Sequence, residues 1–454
     1  MSEHHRSSAP SRRGLNVFLL RAVRIVIRAD SDPVRQALFA NLRESRLAVR
    51  LAYGLHERLG KMSAAALLVS CYGLGFFMSI ALPRHRGARI LTVAEHANAR
   101  RQVDRVVSWL GPDECDRVHT RLRPLLGLSG LAGLARLSSR NAFVRAFRVV
   151  RASDRRHGFL VSCRVAGALA WYARGKAILG ARRPEAVLVS SDSNPEEVGF
   201  TAAARALTIP TVFISHAYPT PFSPPLDFSL SILGGEAEVH ARRRKGPITG
   251  EILLAGLEGG SAPLNPRQFE RTDPVIGIFA PKAVSWPTLV EIVSDCRRHF
   301  RARQIVVRWH PSMIEPSRLA HRLGDLSGIV ESPRTAALSE VARQCHWVIA
   351  DENSGVHLPV LKLGIPTIAV KLGRYPETRS DMYGFVRDGI VLPPVSSIRD
   401  VRPDALVAFF SDGWAARFQQ YDASYLRPQH VIGGEVRGAI WRLCEHAASK
   451  ATCA

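Results

Sequence analysis

The sequence predicts an α/β fold with two doubly wound domains and a helical extension at the N-terminus. Short apolar runs alternate with amphipathic stretches over residues 88–257, and the same alternation restarts at 274 after a stretch rich in glycine and proline. Runs that are apolar along most of their length are typical of parallel strands covered by helices on both faces. At 454 residues, the chain has room for two or three such units.

Charge and cysteine usage limit the classes of partner. The formal net charge is +23, which favours an anionic partner such as nucleic acid, a membrane surface or a phosphate-rich substrate. Only seven of the 62 basic residues are lysines, so a coding bias toward arginine is the alternative explanation. The seven cysteines form no C-x-x-C pair, which argues against a structural zinc site and favours a reducing compartment.

Residues 1–87 are interpreted as a helical extension. Within it, residues 62–82 carry no charge and are long enough to cross a bilayer, but serine and glycine dilute their hydrophobicity. A membrane-embedded or membrane-surface helix and a buried helix therefore stay open as alternatives. The first residues lack the features of a secretory signal. We expect a cytoplasmic protein, with a peripheral position on the inner face of the plasma membrane as the alternative that 62–82 introduces.

The first α/β domain is predicted to span 88–257. A buried strand over 186–190 is followed by a helix with Asn194 as its cap and Pro195 in its first position. The next strand is predicted in TVFISHAYP and emerges from the sheet at His216. Ligands of open α/β sheets bind beyond the carboxyl ends of the strands, so the residues at these ends are the candidates for chemistry.

The second α/β domain is predicted to span 274–425, and a helix over 426–454 is predicted to cross back to the first. Its strands are read in PVIGIFA, QIVVRWH, HWVIADE and IPTIAVK, with helices between them. The strand ends deliver Lys282, His310 and the segment Asp351–Ser354. Two such domains that face each other form a cleft, which is where we expect the reaction.

A catalytic base is expected from the first domain. A neutral imidazole at His216 can remove a proton from an acceptor hydroxyl, and Asp192 or Glu196 can orient or assist it. Glu196 has a simpler explanation as well, because an acidic residue stabilises the first turn of a helix.

Donor-binding groups are expected from the second domain. His310 follows the strand that contains Arg308, and either side chain can contact a phosphate. Ser354 and Gly355 are predicted to open a helix whose first amides and dipole favour an anion, and Asn353 is placed in the same donor-binding group. For this motif taken alone, a role of Asn353 or Ser354 only as an N-cap is the simpler explanation. Lys282 can pair with a phosphate, and a solvated loop lysine is the alternative.

Four segments taken together resemble a known family. ISHAY, the strand–APK loop, RWHP and ADENSG–KLGIP are similar in order and spacing to the bacterial capsule and teichoic-acid polymer transferases, which include CDP-glycerol glycerophosphotransferases and polysialyltransferase-like capsule enzymes. The resemblance covers roughly residues 186–375. It implies a GT-B-like pair of Rossmann-like domains, with His310 and Ser354 on the donor phosphates and His216 as the base.

The expected function is a metal-independent transferase without a cofactor, which moves a sugar or polyol phosphate from a nucleotide-sugar or CDP-polyol donor to a polysaccharide or lipid-linked acceptor. The sequence has no P-loop, G-x-G-x-x-G, H-E-x-x-H or G-x-S-x-G motif, and the two predicted α/β domains contain no D-x-D pair of acids of the kind that binds a catalytic metal. The alternatives are a nucleotide-sugar epimerase or hydrolase of the same fold and a basic nucleic-acid-binding protein. Aromatic residues make up only 7% of the chain and no binding-module signature is present, so a nucleic-acid partner is not expected.

Overall fold

The computed structural model describes residues 12–31, 36, 47–62, 88–94, 96–118, 140–220, 222–257, 259–281, 284–311, 327–333, 335–373, 381–411 and 413–452. Its first two helices are α1 (Arg12–Asp30) and α2 (Leu47–Leu59). The prediction for residues 63–82 therefore lies outside the described residues. Among the described helices, none is both long enough and apolar enough to span a bilayer.

The first sheet has six parallel strands in the part of the chain described, in the order β2-β1-β3-β4-β5-β6. The strands are β1 (Ile90–Val93), β2 (Cys115–Arg117), β3 (Ala186–Val189), β4 (Thr211–Ile214), β5 (Asp227–Leu233) and β6 (Thr249–Leu254). The helices between them are α3 (Ala97–Leu110), α4 (Arg140–His157), α5 (Phe159–Arg182), α6 (Pro195–Ala206) and α7 (Glu236–Arg243). Every residue of β1, β3 and β4 is buried, as parallel strands covered on both faces require.

The second sheet has five parallel strands among the described residues, in the order β11-β10-β7-β8-β9. They are β7 (Val275–Phe279), β8 (Gln304–Arg308), β9 (Ile329–Glu331), β10 (Trp347–Asp351) and β11 (Thr367–Val370). Helices α8 (Trp286–Arg298), α9 (Leu338–Ala342), α10 (His357–Lys362), α11 (Pro403–Ser411), α12 (Trp414–Tyr421) and α13 (Gln429–Thr452) follow in chain order. The predicted pair of doubly wound α/β domains is confirmed by these two strand orders.

The strand orders locate the ligand-binding edge of each sheet. The chain reverses its direction of winding between β1 and β3 in the first sheet and between β7 and β10 in the second. At such a point the loops leave on opposite sides and open a crevice at the carboxyl ends of the strands. The loops after β3, β4, β8 and β10 all reach these edges, and they carry the residues singled out from the sequence.

The C-terminal helix α13 belongs to the hydrophobic core of the first domain. Ile432, Val436 and Ile440 are fully buried in one cluster with Val103 and Val106 of α3. The two helices approach closely, because a Cβ atom at Gly433 would lie 2.6 Å from the Trp109 ring. Helix α13 therefore covers one face of the first sheet.

The N-terminal helices pack on the opposite face. Helix α1 contacts α5 and α6, and the buried Asp30 accepts a 2.6 Å charge-assisted bond from Arg164 of α5. Helix α2 is attached through His56, which lies 3.2 Å from Asp154 of α4, and through Tyr53, whose ring meets that of Phe159 edge-on.

Candidate active site between the two sheets

The carboxyl ends of the two sheets border one cavity of about 580 Å³. His216 and Tyr218 line it from the first domain, and His310 and the segment 353–355 line it from the second. The sequence placed these residues at the ends of strands in separate domains, and the fold brings them to the same crevice. The cavity is of the size that small-molecule substrates occupy.

His216 follows β4 and is held by a backbone atom of the neighbouring strand. Its Nδ1 lies at hydrogen-bond distance from the carbonyl oxygen of Ser190, directly after β3. A carbonyl oxygen only accepts, so Nδ1 carries the proton, and Nε2 of the neutral ring keeps its lone pair. The ring is therefore in the tautomer that a general base requires.

Burial lowers the pKa of His216 below its ordinary value of 6.5. The bond to Ser190 and the charge of Asp192 act in the opposite direction, whereas His96 and Arg242 lower the pKa further. The neutral form is consequently the prevailing one at physiological pH.

Asp192 lies beside His216 rather than in the main cavity. It borders a second cavity of about 130 Å³ that is also lined by His216. Its carboxylate is paired with Arg242, whose side chain is only 3% exposed. The orienting partner of His216 is thus the carbonyl of Ser190, and Asp192 acts on the imidazole through its charge. Glu196 lies in the first turn of α6 and is not among the residues that line either of these two cavities.

His310 reaches the cavity because the residue before it is anchored. Trp309 is buried, and its Nε1 donates a 2.8 Å hydrogen bond to Glu331 of β9. Arg308, by contrast, is not among the residues that line the cavity. Its guanidinium lies over the Phe279 ring, and its pKa is lowered by burial and by the positive charge of Arg101. Arg308 therefore contributes positive potential from beside the cleft.

The loop after β10 is organised by Asp351. The Asp351 carboxylate accepts hydrogen bonds from the amides of Asn353, Leu372 and Gly373 at 3.0, 3.0 and 2.6 Å, and so joins the ends of β10 and β11. Asn353 in turn accepts a 2.8 Å bond from the amide of Met382 through Oδ1. These bonds between side-chain oxygens and backbone amides fix the conformation of the loop.

The prediction that Ser354 and Gly355 open a helix is wrong, because α10 begins at His357. The amide of Ser354 donates to the carbonyl of Asp351 at 2.9 Å, which holds residues 351–354 in a turn instead. Ser354 Oγ accepts a long 3.4 Å bond from the amide of Val356, and the hydroxyl hydrogen is not used by this bond. The Ser354 hydroxyl can therefore donate a hydrogen bond toward the cavity. Ser354 lies in the turn before α10 and not in the first turn of a helix.

His357 was not predicted, and the structure makes it the central support of the loop. It is fully buried, with Nε2 3.0 Å from the Asp351 carbonyl and Nδ1 2.9 Å from Thr367 Oγ1. Nε2 therefore donates, and Nδ1 accepts from the Thr367 hydroxyl. Burial lowers the pKa of His357 to about 4. The only sequence signal was a histidine on the apolar face of HLPVLKL, which is typical of a core histidine.

Lys362 was also missed. Its side chain is 1% exposed and pairs with Asp422 at 2.9 Å. Nζ donates to the carbonyl of Leu257 and to Ser424 Oγ, each at 2.6 Å. Leu257 lies where the chain leaves the first domain, and Asp422 lies where it returns. Lys362 thus binds both segments through which the chain passes between the two domains, and it does so at the wall of the cavity.

Lys282 lies outside the described residues. In addition to Lys362, two arginines line the cavity, Arg101 of α3 and Arg343, which lies directly after α9. The arginines come from opposite domains and lie on opposite sides of the cleft, so a bound anion would lie between positive charges. Within the described ranges, no group of three or more His, Cys, Asp and Glu side chains is arranged to hold a metal ion.

Comparisons with known proteins give structural likenesses only. No protein-family model matches the sequence, and no curated protein sequence matches it. A UDP-GlcNAc 2-epimerase from Methanocaldococcus jannaschii, in complex with UDP-GlcNAc and UDP, is 11% identical and aligns over 78% of this chain and 99% of its own, with a TM-score of 0.45. The glycotransferase of kitacinnamycin is 13% identical over 78% and 98%, with a TM-score of 0.46. The calicheamicin glycosyltransferase CalG4 is 11% identical over 79% and 98%, also with 0.46. At these values the description of the fold rests on the strand orders.

Proposed function

We propose that the protein is a transferase that moves a sugar or polyol phosphate from a nucleotide-activated donor to a growing cell-surface polysaccharide of the capsule, lipopolysaccharide or teichoic-acid kind. One observation carries this proposal. His216 of the first domain and His310 with Ser354 of the second line the same cavity. A transferase needs this arrangement, because the base must meet the acceptor while the other domain holds the donor.

The donor side is assigned to the second domain. His310 and the Ser354 hydroxyl are donors that fit phosphate oxygens, and Arg101 and Arg343 supply positive charge from either side of the cleft. The same groups stabilise the charge that develops on the departing nucleotide, so the chemistry is proposed to need neither a metal nor a cofactor. Nucleotide-sugars and CDP-polyols share the phosphate that these groups recognise.

The acceptor side is assigned to His216. Its Nε2 takes the proton of an acceptor hydroxyl as the oxygen attacks the activated carbon or phosphorus. The new bond to the acceptor oxygen forms while the bond to the nucleotide phosphate breaks, and the nucleotide leaves with the electron pair. A polysaccharide or lipid-linked glycan supplies the hydroxyl, and nucleic acid has no part in the reaction.

The first experiment identifies the donor. A thermal-shift screen with CMP, CDP, UDP and GDP derivatives should give one nucleotide class that raises the melting temperature progressively with concentration, because a ligand stabilises the form that binds it. Calorimetry should then show that His310→Ala loses donor binding by tenfold or more. His430→Ala, an exposed histidine on α13, is the matched control and should bind as the wild type does.

The second experiment separates binding from transfer. His216→Ala should keep donor affinity within about threefold and lose transfer by 10²–10⁴-fold, the range typical of a removed general base. Donor binding unchanged by His310→Ala would remove His310 from the site. Epimerisation of the sugar without any acceptor would replace the transferase proposal with an epimerase.

A further inference from the structure

Exposed apolar side chains are concentrated at the N-terminal helices. Nine large apolar residues are strongly exposed among those described, and six of them belong to α1, α2 or the turn that follows α2. The six are Val17, Leu20, Leu51, Leu55, Leu59 and Met62. Isolated exposed leucines are common on protein surfaces, but a cluster on one element indicates a contact surface.

Four of these side chains form a single stripe, named here the α2 apolar face and made of Leu51, Leu55, Leu59 and Met62. Their spacing of four, four and three residues places them on one side of the helix. Leu51, Leu55 and Met62 are 65%, 58% and 68% exposed, and Leu59 is 40% exposed.

The domain is attached to the other side of α2. Tyr53 meets Phe159, and His56 stacks on Phe159 and lies 3.2 Å from Asp154. At 100° per residue, Tyr53 and His56 point away from the leucine stripe. The α2 apolar face is therefore turned outward, and the described residues of its domain leave it exposed.

Arginines lie beside this face. Arg58 is exposed on α2 and lies next to Leu51 in the helical projection, whereas the exposed Arg50 lies about 100° from Leu51. Arg155 and Arg156 are exposed at the end of α4, directly after the Asp154 that contacts His56. An outward apolar stripe with an arginine margin is complementary to a surface with anionic headgroups above an apolar layer.

We propose that the α2 apolar face binds the surface of an anionic phospholipid bilayer. The leucines and Met62 enter the boundary between headgroups and acyl chains, and Arg58, Arg155 and Arg156 contact lipid phosphates. The proposal rests on the geometry of α2 and α4 and is independent of the reaction in the cleft. It places the membrane contact in α2, whereas the sequence had pointed to residues 62–82.

The test measures binding of the full chain to lipid vesicles by co-sedimentation. The wild type should bind vesicles of phosphatidylcholine with phosphatidylglycerol and bind pure phosphatidylcholine vesicles far more weakly. Leu51→Ser/Leu55→Ser should reduce the partition coefficient by tenfold or more through lost apolar insertion. Leu426→Ser/Val431→Ser changes two exposed apolar residues elsewhere and should bind as the wild type does.

A charge variant tests the second half of the proposal. Arg155→Ser/Arg156→Ser should weaken binding to anionic vesicles by roughly tenfold and leave the weak binding to neutral vesicles unchanged, because each cation near an anionic surface contributes separately. Thermal melting should show that both variants stay folded. Equal vesicle binding by the wild type and the leucine variant would overturn the proposal, as would a wild-type dimer that the leucine variant dissociates.

Discussion

The ring of Tyr218 stacks on the ring of Tyr421 with their centroids 5.3 Å apart. Tyr218 lies two residues after His216 in the first domain, and Tyr421 ends α12 in the second. Tyr218 also meets Tyr383 edge-on, and its hydroxyl donates a 2.8 Å bond to the carbonyl of Ala237. The segment that carries the proposed base is therefore fastened to the opposite wall of the cleft.

Replacing Tyr218 should affect the transfer rate more than the stability of the fold, because Tyr218 holds the segment of the base against the domain that binds the donor. Tyr218→Leu removes the stacking, which is worth about 1 kcal/mol, and should lower the transfer rate by tenfold or more with little change in donor affinity. Tyr218→Phe keeps the stacked ring and loses the hydroxyl's bonds to Ala237 and Tyr421, so its rate should stay within a few-fold of wild type. Equal rates for the leucine and phenylalanine variants would show that the stacking does not position His216. Single-turnover kinetics measures the transfer rate, and calorimetry measures the donor affinity.

The pH dependence of transfer should reflect the lowered pKa of His216. The base is active when neutral, so the rate falls only as the pH drops through the His216 pKa in the folded protein, which lies below 6.5. We expect a plateau above pH 6.5 and an acid limb with its midpoint below that value in kcat/KM. A midpoint above 6.5 would contradict the buried, neutral state of the ring.

His357 should make stability depend on pH. Its pKa is about 4 in the folded protein and 6.5 when exposed, so the unfolded chain binds the proton more readily. The free energy of unfolding therefore falls as the pH decreases from 6.5 toward 4, by up to about 3 kcal/mol from this residue.

The variant His357→Gln isolates this contribution. A glutamine amide can donate to the Asp351 carbonyl without titrating, so the variant should lose that part of the pH dependence. Urea unfolding at pH 7.5 and pH 5 compares the two chains, and the exposed His430→Gln serves as control. The same loss of stability toward low pH in the variant and the wild type would assign it to other groups.

Breaking the Lys362–Asp422 pair should be costly. Lys362→Met leaves the Asp422 carboxylate buried without its cation, and a loss of roughly 3–5 kcal/mol is expected. The double variant Lys362→Met/Asp422→Asn removes the uncompensated charge and should recover part of the loss. A double variant as unstable as the sum of the single ones would show that the two side chains do not act as a pair.

The sequence predicted those features that depend on local pattern. Buried apolar strands end two residues before His216 and His310, and the rules for parallel sheets bring such strand ends to one edge. The start of α10 was misplaced because Asn353, Ser354 and Gly355 look like a helix cap, while the actual turn is held by the Asp351 carbonyl and carboxylate.

Other parts of the site depend on contacts between distant segments. Lys362 meets Asp422 and Leu257, which are 60 and 105 positions away, and Tyr218 meets Tyr421 across the domain boundary. The carbonyl of Ser190 orients His216. Every residue has a backbone carbonyl, so the residue types do not reveal this contact. These relationships require the tertiary structure, since local sequence does not encode which distant residue lies nearby.

The position of α13 bears on how this protein is synthesised. The apolar cluster over β1, β3 and β4 includes Ile90, Leu188 and Val212, and it is covered by α3 and by α13, which lies far along the chain. On the ribosome, the part of this cover that α13 contributes is missing until residues 429–452 have emerged, by which time the second sheet is already made. The first domain is thus completed only after the second has been translated, and nascent chains should need protection from aggregation longest at this face.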